Sequence, residues 1–151
     1  MQHNQETIEI FNDLIMINND RIAGYERAIK ELGDGDKDLI PLFENMIDES
    51  RQARMALGKE VQVLGGTMVE STMQSGKIYV AWLDFKALFS GHDRHAVIAN
   101  CEAVEDATQK AYTSALEEEQ IPSFLQDLIM EQQQSLKYSH DEIKSFRDQT
   151  A

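Results

Sequence analysis

Few side chains in this sequence could do chemistry, and the most telling of them is Glu105. It lies in VIANCEAVEDATQKAYTSAL, residues 97–116, where Val97, Cys101, Val104, Thr108, Ala111 and Ala115 recur at steps of four and three. That spacing marks one face of an α-helix, widened by Ile98, Tyr112 and Leu116. Glu105 falls between Tyr112 and Ile98, inside the apolar arc. A carboxylate there must be paired with a cation, protonated, or bound to a metal. Other polar groups point the same way. On their helical wheels Glu26 lies about 40° from Ile22 and Arg54 about 40° from Ser50, and Gln132, Ser135 and Ser139 face inward on the last helix. Two kinds of chemistry fit. In one, Arg54 neutralises Glu105, and Gln132 helps to complete a buried hydrogen-bond network. In the other, Glu26, Glu105 and His140, with Glu102, hold one divalent metal ion, Fe, Mn or Zn.

The remaining reactive groups offer less. Cys101 is the single cysteine, so no disulfide forms within the chain. Its place on the apolar seam reads as a small buried hydrophobe, whereas a nucleophile would need exposure and a nearby base. His92 and His95 stand near a helix start and read as solvent-facing. The sequence contains no Gly-rich phosphate loop, no nucleophile motif and no zinc spacing of Cys and His.

Four long amphipathic stretches position these residues. The first helix is predicted over 5–32, with Asn4 as N-cap and a seam of Phe11, Ile15, Asn18, Ile22, Tyr25, Ile29 and Leu32. The second spans 37–64, capped by Asp36 or Asp38, with Pro41 in its first turn. Its seam is Leu39, Phe43, Met46, Ser50, Ala53, Leu57, Val61 and Leu64, and Gly65–Gly66 ends it. The third spans 94–118 with Asp93 as N-cap. The fourth spans 122–147 after the break that Pro122 imposes. Its seam is Ile121, Leu125, Leu128, Gln132, Ser135, Ser139, Ile143 and Phe146. Each helix is about 38 Å long. Residues 67–93 read as a crossover whose apolar part, KIYVAWLDFKALF, forms a short helix of its own. Short loops make the first and last helix pairs antiparallel. The long crossover lets helices two and three run parallel. The expectation is an all-α, up-down-down-up four-helix bundle in a single domain, residues 1–151.

Composition narrows the partners. The 151 residues carry a net charge of −13, with 14 basic residues that do not cluster. Such a chain repels phosphate backbones and anionic membrane surfaces, so neither nucleic acid nor a membrane is expected as a partner. No apolar run reaches the length of a membrane span and no signal peptide is visible, which reads as a cytoplasmic protein. A homo-oligomer or a protein partner stays open.

NDLIMINNDRIAGYERAI in the first helix, the Gly65–Gly66 break, Trp82–Leu83 with Lys86 in the crossover, CEAVEDATQKAYTSAL and SHDEIKSF together resemble a family of uncharacterised bacterial proteins. This is a ferritin-like domain of unknown function of about this length. The resemblance spans nearly the whole chain and implies the ferritin-like fold. It carries no established activity. Ferritin-like di-iron proteins take one Glu from each of two helices and Glu-x-x-His from each of the other two. Here Glu26 and Glu105 could be the lone glutamates. Glu49, however, is followed three residues later by Gln52, and Lys137 stands three before His140. Both Glu-x-x-His pairs are broken, so no di-iron centre is expected.

Two functions follow. One is a non-enzymatic helical-bundle protein that acts through assembly or partner binding, with no cofactor. The alternative is a metal-binding or redox protein with an altered, incomplete carboxylate and histidine site.

Overall fold

The computed structural model describes residues 2–68, 76, 78–79 and 94–150, with only the backbone of 2, 3, 149 and 150. Among the described residues the protein is all-helical, with four α-helices and no strand. They are α1 (Gln2–Glu31), α2 (Ile40–Val63), α3 (Arg94–Leu116) and α4 (Ser123–Thr150). Of the predicted short helix of the crossover only Ile78 and Tyr79 are described, both helical; Trp82 within it, the Asp93 cap and His92 lie outside the described residues.

Periodic apolar residues account for the helices, and their ends follow local chemistry. α1 begins at Gln2, so Asn4 is inside it rather than at its cap. Gly33 leads into a 3-10 turn, Asp34–Leu39, and Pro41 occupies the first turn of α2, where its missing N–H costs nothing. Neither Asp36 nor Asp38 caps α2; its N-cap is Leu39. Both aspartates hold Arg94 at the start of α3 instead, Asp36 at 3.3 Å and Asp38 through two bonds of 2.8 and 2.9 Å. α2 closes in a Schellman motif. Gly65 N–H donates to the Gln62 carbonyl at 3.0 Å and Gly66 N–H to that of Val61 at 2.9 Å. Gly65 takes φ +86°, which a side chain would strain.

Two antiparallel hairpins, α1 with α2 and α3 with α4, contain most of the close backbone approaches; the hairpins meet each other chiefly through side chains. The predicted seams of α2 and α3 are buried almost throughout, and Phe11, Ile15, Asn18, Ile22 and Tyr25 are buried on α1. On α4 most of the predicted seam is buried, with Ile129 and Leu136 added to it. Its buried stripe is Leu125, Ile129, Gln132, Leu136, Ser139 and Ile143, and Ser135 is exposed rather than inward. The residues carrying both seams overlap, and packing against two neighbours selects the stripe richer in branched aliphatics.

α1 also anchors the start of the crossover. Asn12 donates to the Thr67 carbonyl at 3.1 Å. The Asp13 carboxylate accepts the backbone N–H of Gly76 at 2.8 Å and of Tyr79 at 3.2 Å, and the Tyr79 hydroxyl donates to Asp20. A Cβ on Gly76 would crowd Glu9 Oε1 and lie 2.7 Å from Asp13 Oδ2, so a larger residue there would force these carboxylates to shift. Burial, aided by neighbouring Glu9, raises the Asp13 carboxyl above its ordinary value, although the backbone bonds oppose the shift.

Candidate functional site

Arg21 stands in the interior of the bundle. Its signal in the sequence is its spacing, three residues after Asn18 and four before Tyr25, which puts it on the buried stripe of α1. The side chain is fully buried, and every nitrogen of the guanidinium has an acceptor. Nε donates to Glu105 Oε2 at 2.8 Å and Nη2 to Glu105 Oε1 at 2.7 Å, a two-pronged pair across α1 and α3. Nη2 also meets Glu49 Oε1 at 3.1 Å on α2. Nη1 donates to Ser50 Oγ at 2.8 Å and to the Met46 carbonyl at 3.4 Å. Such a planar fork matches two carboxylates and a hydroxyl in a way a lysine could not.

The acceptors are held in turn. Glu105 is 1% exposed, and its Oε2 also accepts the Tyr25 hydroxyl at 3.0 Å. Glu49 is bound from α4: Ser135 donates to Oε2 at 2.8 Å and Ser139 to Oε1 at 2.9 Å. All four helices therefore converge on one cation. Burial works against the Arg21 charge, but Glu105, with Tyr25 and Glu49 behind it, more than offsets this and keeps the guanidinium ionised well beyond its ordinary range. The neighbouring acids are pushed the other way. Burial and then the Glu105 charge raise the Tyr25 phenol and the Cys101 thiol, which stay neutral. A buried neutral thiol is a poor nucleophile.

A second, uncharged chain of bonds runs beside the first. Asn18 Nδ2 donates to the Leu14 carbonyl at 2.8 Å and to the Tyr112 hydroxyl at 3.1 Å. Tyr112 donates to Gln132 Oε1 at 2.8 Å, and Gln132 Nε2 to the Ala53 carbonyl at 3.2 Å. Burial raises the Tyr112 hydroxyl's pKa and keeps it a donor.

The predicted residues are scattered by this arrangement. Glu105 is buried, as its arc requires, but its partner is Arg21 and not Arg54 or Gln132. Arg54 is half-buried and donates to Asn19 Oδ1 at 2.8 Å, because its long side chain turns to the edge of the α1–α2 groove. Gln132 is buried and serves Tyr112 and Ala53. Glu26 does not lie in the apolar arc. Its side chain is 51% exposed and faces Arg51 at 3.7 Å. Ile22 is the edge of the α1 stripe, and Glu26 is on its outer side. His140 lies at the α3–α4 surface, with Nε2 on Asp106 and Nδ1 3.2 Å from Asp141. Partial burial would depress its pKa, but the two carboxylates raise it above its ordinary value. Glu102 pairs with Arg147 at 2.7 Å. Glu26, Glu105 and His140 thus each have separate partners. Among the described residues no group of three or more His, Cys, Asp or Glu is placed to hold a metal ion.

The sequence reading missed Arg21 and Glu49. Arg21 was legible in its spacing on the buried stripe. Glu49 was not, because it sits beside the seam residue Ser50 and only the approach of α4 shows which way it turns.

A family model described as Domain of unknown function (DUF2383) matches residues 6–118. The match includes Arg21, Glu49, Ser50 and Glu105, and stops before α4. No curated protein matches the chain.

Proposed function

Given that the chain belongs to the DUF2383 family, a domain of unknown function, we propose that it is a non-enzymatic, ferritin-like helical bundle of the cytoplasm that acts through assembly or partner binding. The order of contacts supports an up-down-down-up arrangement. As α1 advances through Asn18 and Arg21, its partners on α3 retreat from Tyr112 to Glu105. As α2 advances from Glu49 to Ala53, its partners on α4 retreat from Ser139 to Gln132. Arg94 meets Asp36 and Asp38, so α3 starts at the end where α2 starts. Helices two and three then run parallel, as a long crossover allows.

The observation that carries the functional reading is Arg21. In a bundle, carboxylates converging from facing helices are the groups that would bind a metal. Here Glu105 and Glu49 converge on a guanidinium whose three nitrogens all bond to Glu105 or to α2. A protein cation fills the role a metal ion would otherwise have, and it offsets one of the two carboxylate charges without supplying redox chemistry. The alternative is a single Fe, Mn or Zn ion in an altered site. Its ligands would be Glu26, Glu105 and His140, and it requires each of them to leave its present partner.

Two measurements test this. Elemental analysis of protein purified without added metal is expected to find no stoichiometric metal. Melting curves with and without Mn²⁺, Fe²⁺ and Zn²⁺ are expected to coincide. A bound ion together with a metal-induced rise in melting temperature that Glu105→Gln abolishes would overturn the proposal. Anaerobic Fe(II) titration checks the narrower point that no pair of tightly bound irons forms. Light scattering across a concentration series reads assembly.

A further inference from the structure

The five large apolar side chains that stand exposed among the described residues are Met55 and Val63 on α2 and Phe124, Met130 and Tyr138 on α4. None is on α1 or α3; Val63, Phe124 and Tyr138 lie toward the side where α2 and α4 face each other, whereas Met55 and Met130 are turned away from it. On α4, Phe124, Leu128, Glu131, Ser135 and Tyr138 recur at steps of four and three and form one stripe along the helix. The antiparallel order of the α2–α4 contacts brings Val63, at the end of α2, toward Phe124 at the start of α4. Between the two helices lies a hollow of about 190 Å³. Ala53, Ala56, Leu128 and Leu136 give it apolar walls, and Glu49 and Glu131 give it carboxylates.

The charge on this face is unbalanced. Arg21 carries one positive charge against the two of Glu49 and Glu105. Glu105 is sealed in the core, so the excess falls to Glu49, which is 19% exposed and lines the hollow. Glu131, on the opposite helix, has no cation within ion-pair distance among the described residues. The face thus combines exposed apolar groups with uncompensated negative charge.

We propose that the α2–α4 face is the docking surface for a basic amphipathic helix of a partner protein. The proposal rests on the reading of this chain as a partner-binding protein and names the surface and the chemistry. A groove between two antiparallel helices accepts a third helix by ridge-and-groove packing, with apolar anchors at helical spacing. Val63, Phe124 and Leu128 meet the apolar anchors. The hollow is smaller than ordinary small-molecule pockets, which run to about 300 Å³ and more, and it suits a single lysine or arginine side chain placed between Glu49 and Glu131. A second copy of the chain fits poorly, because a two-fold contact would set the same acidic stripe against itself. Anionic membrane surfaces are repelled for the same reason.

The test titrates the full chain with a helical Leu/Lys amphipathic peptide and with its Leu/Glu counterpart. Calorimetry measures affinity, and NMR shifts locate the contact. The Leu/Lys peptide is expected to bind saturably, to shift signals on α2 and α4, and to weaken as salt is added. Phe124→Ala should weaken it about ten-fold, as loss of an aromatic anchor does, and Glu131→Lys should weaken it several-fold. Both residues are exposed, so both variants fold. Glu6→Lys, the same charge change at an exposed site on α1, should leave affinity unchanged. Equal loss with Glu6→Lys, binding of the Leu/Glu peptide, or a self-associated dimer that Phe124→Ala dissolves would each overturn the proposal. Metal dependence of melting would instead defeat the functional reading, with the titration still judging the face.

Discussion

Arg21 concentrates the energetic risk of this protein in one side chain. Its removal leaves Glu105 buried and without a cation, and breaking a buried ion pair from one side costs about 3–5 kcal/mol. Arg21→Met is therefore expected to lower stability by that amount in urea denaturation, the largest loss among single changes at the centre. Glu105→Gln should cost less, about 1.5–3 kcal/mol, because Glu49 still faces the guanidinium. Arg54→Ala, at the half-buried edge, should stay within about 1 kcal/mol of the parent. If Arg54→Ala proved the more damaging of the two arginine changes, the centre would be misassigned. His140 supplies a pH signature of its own. Its folded pKa is raised by Asp106 and Asp141 above the ordinary 6.5. Its contribution is thus fully present below that unfolded value and is lost as pH rises through the folded one. Stability measured from pH 6 upward, roughly the onset of that window, should fall less steeply in His140→Asn than in the parent.

At the scale of elements, α2 relies on its stop rather than on a cap. α2 has no side-chain cap at its start but a full Schellman motif at its end, where Gly65 sits at φ +86°. Gly65→Ala should cost about 1 kcal/mol, read from the same urea curves, with helix content by circular dichroism unchanged. Within the second hairpin, Gln109 and Gln133 exchange side-chain amide to backbone carbonyl bonds at 3.2 Å each way, and Gln133 reaches Thr113 at 2.8 Å. These clasps lie between the His140–Asp106 pair and the α3–α4 turn, and they set the register of two helices whose apolar stripes alone permit a shift. The phase of α4 illustrates the point. Leu128 and Ser135 on one stripe and Ile129 and Leu136 on the next are only 100° apart, and contact with both α2 and α3 selects the second.

For the whole molecule, charge works against compactness. With a net charge of −13 the folded chain repels itself, and salt screens that repulsion. The melting temperature is expected to rise modestly from low salt to about 0.15 M, where the Debye length falls to about 8 Å. A fall over that range would mean that surface ion pairs such as Arg27–Glu31 and Arg94–Asp38 outweigh the general repulsion. No described helix is long and apolar enough to cross a membrane, and of the exposed apolar groups Val63 and Phe124 flank the α2–α4 hollow while Met55 and Met130 are turned away from it.

The four helices, their breaks at Gly33, Gly65 and Pro122, the burial of the α2 and α3 seams and the inward carboxylate at Glu105 were all determined by local information. Helical periodicity and the chemistry of glycine and proline act within a few residues, so one sequence suffices to read them. The partner of Glu105 was decided by tertiary structure. Arg21, Arg54 and Gln132 were each compatible with it, and a wheel records the angle of a Cβ but not where a long side chain ends. The separation of Glu26, Glu105 and His140 has the same origin. A difference of 40° at the edge of a stripe decides between core and water, and only the neighbouring helix fixes where that edge falls.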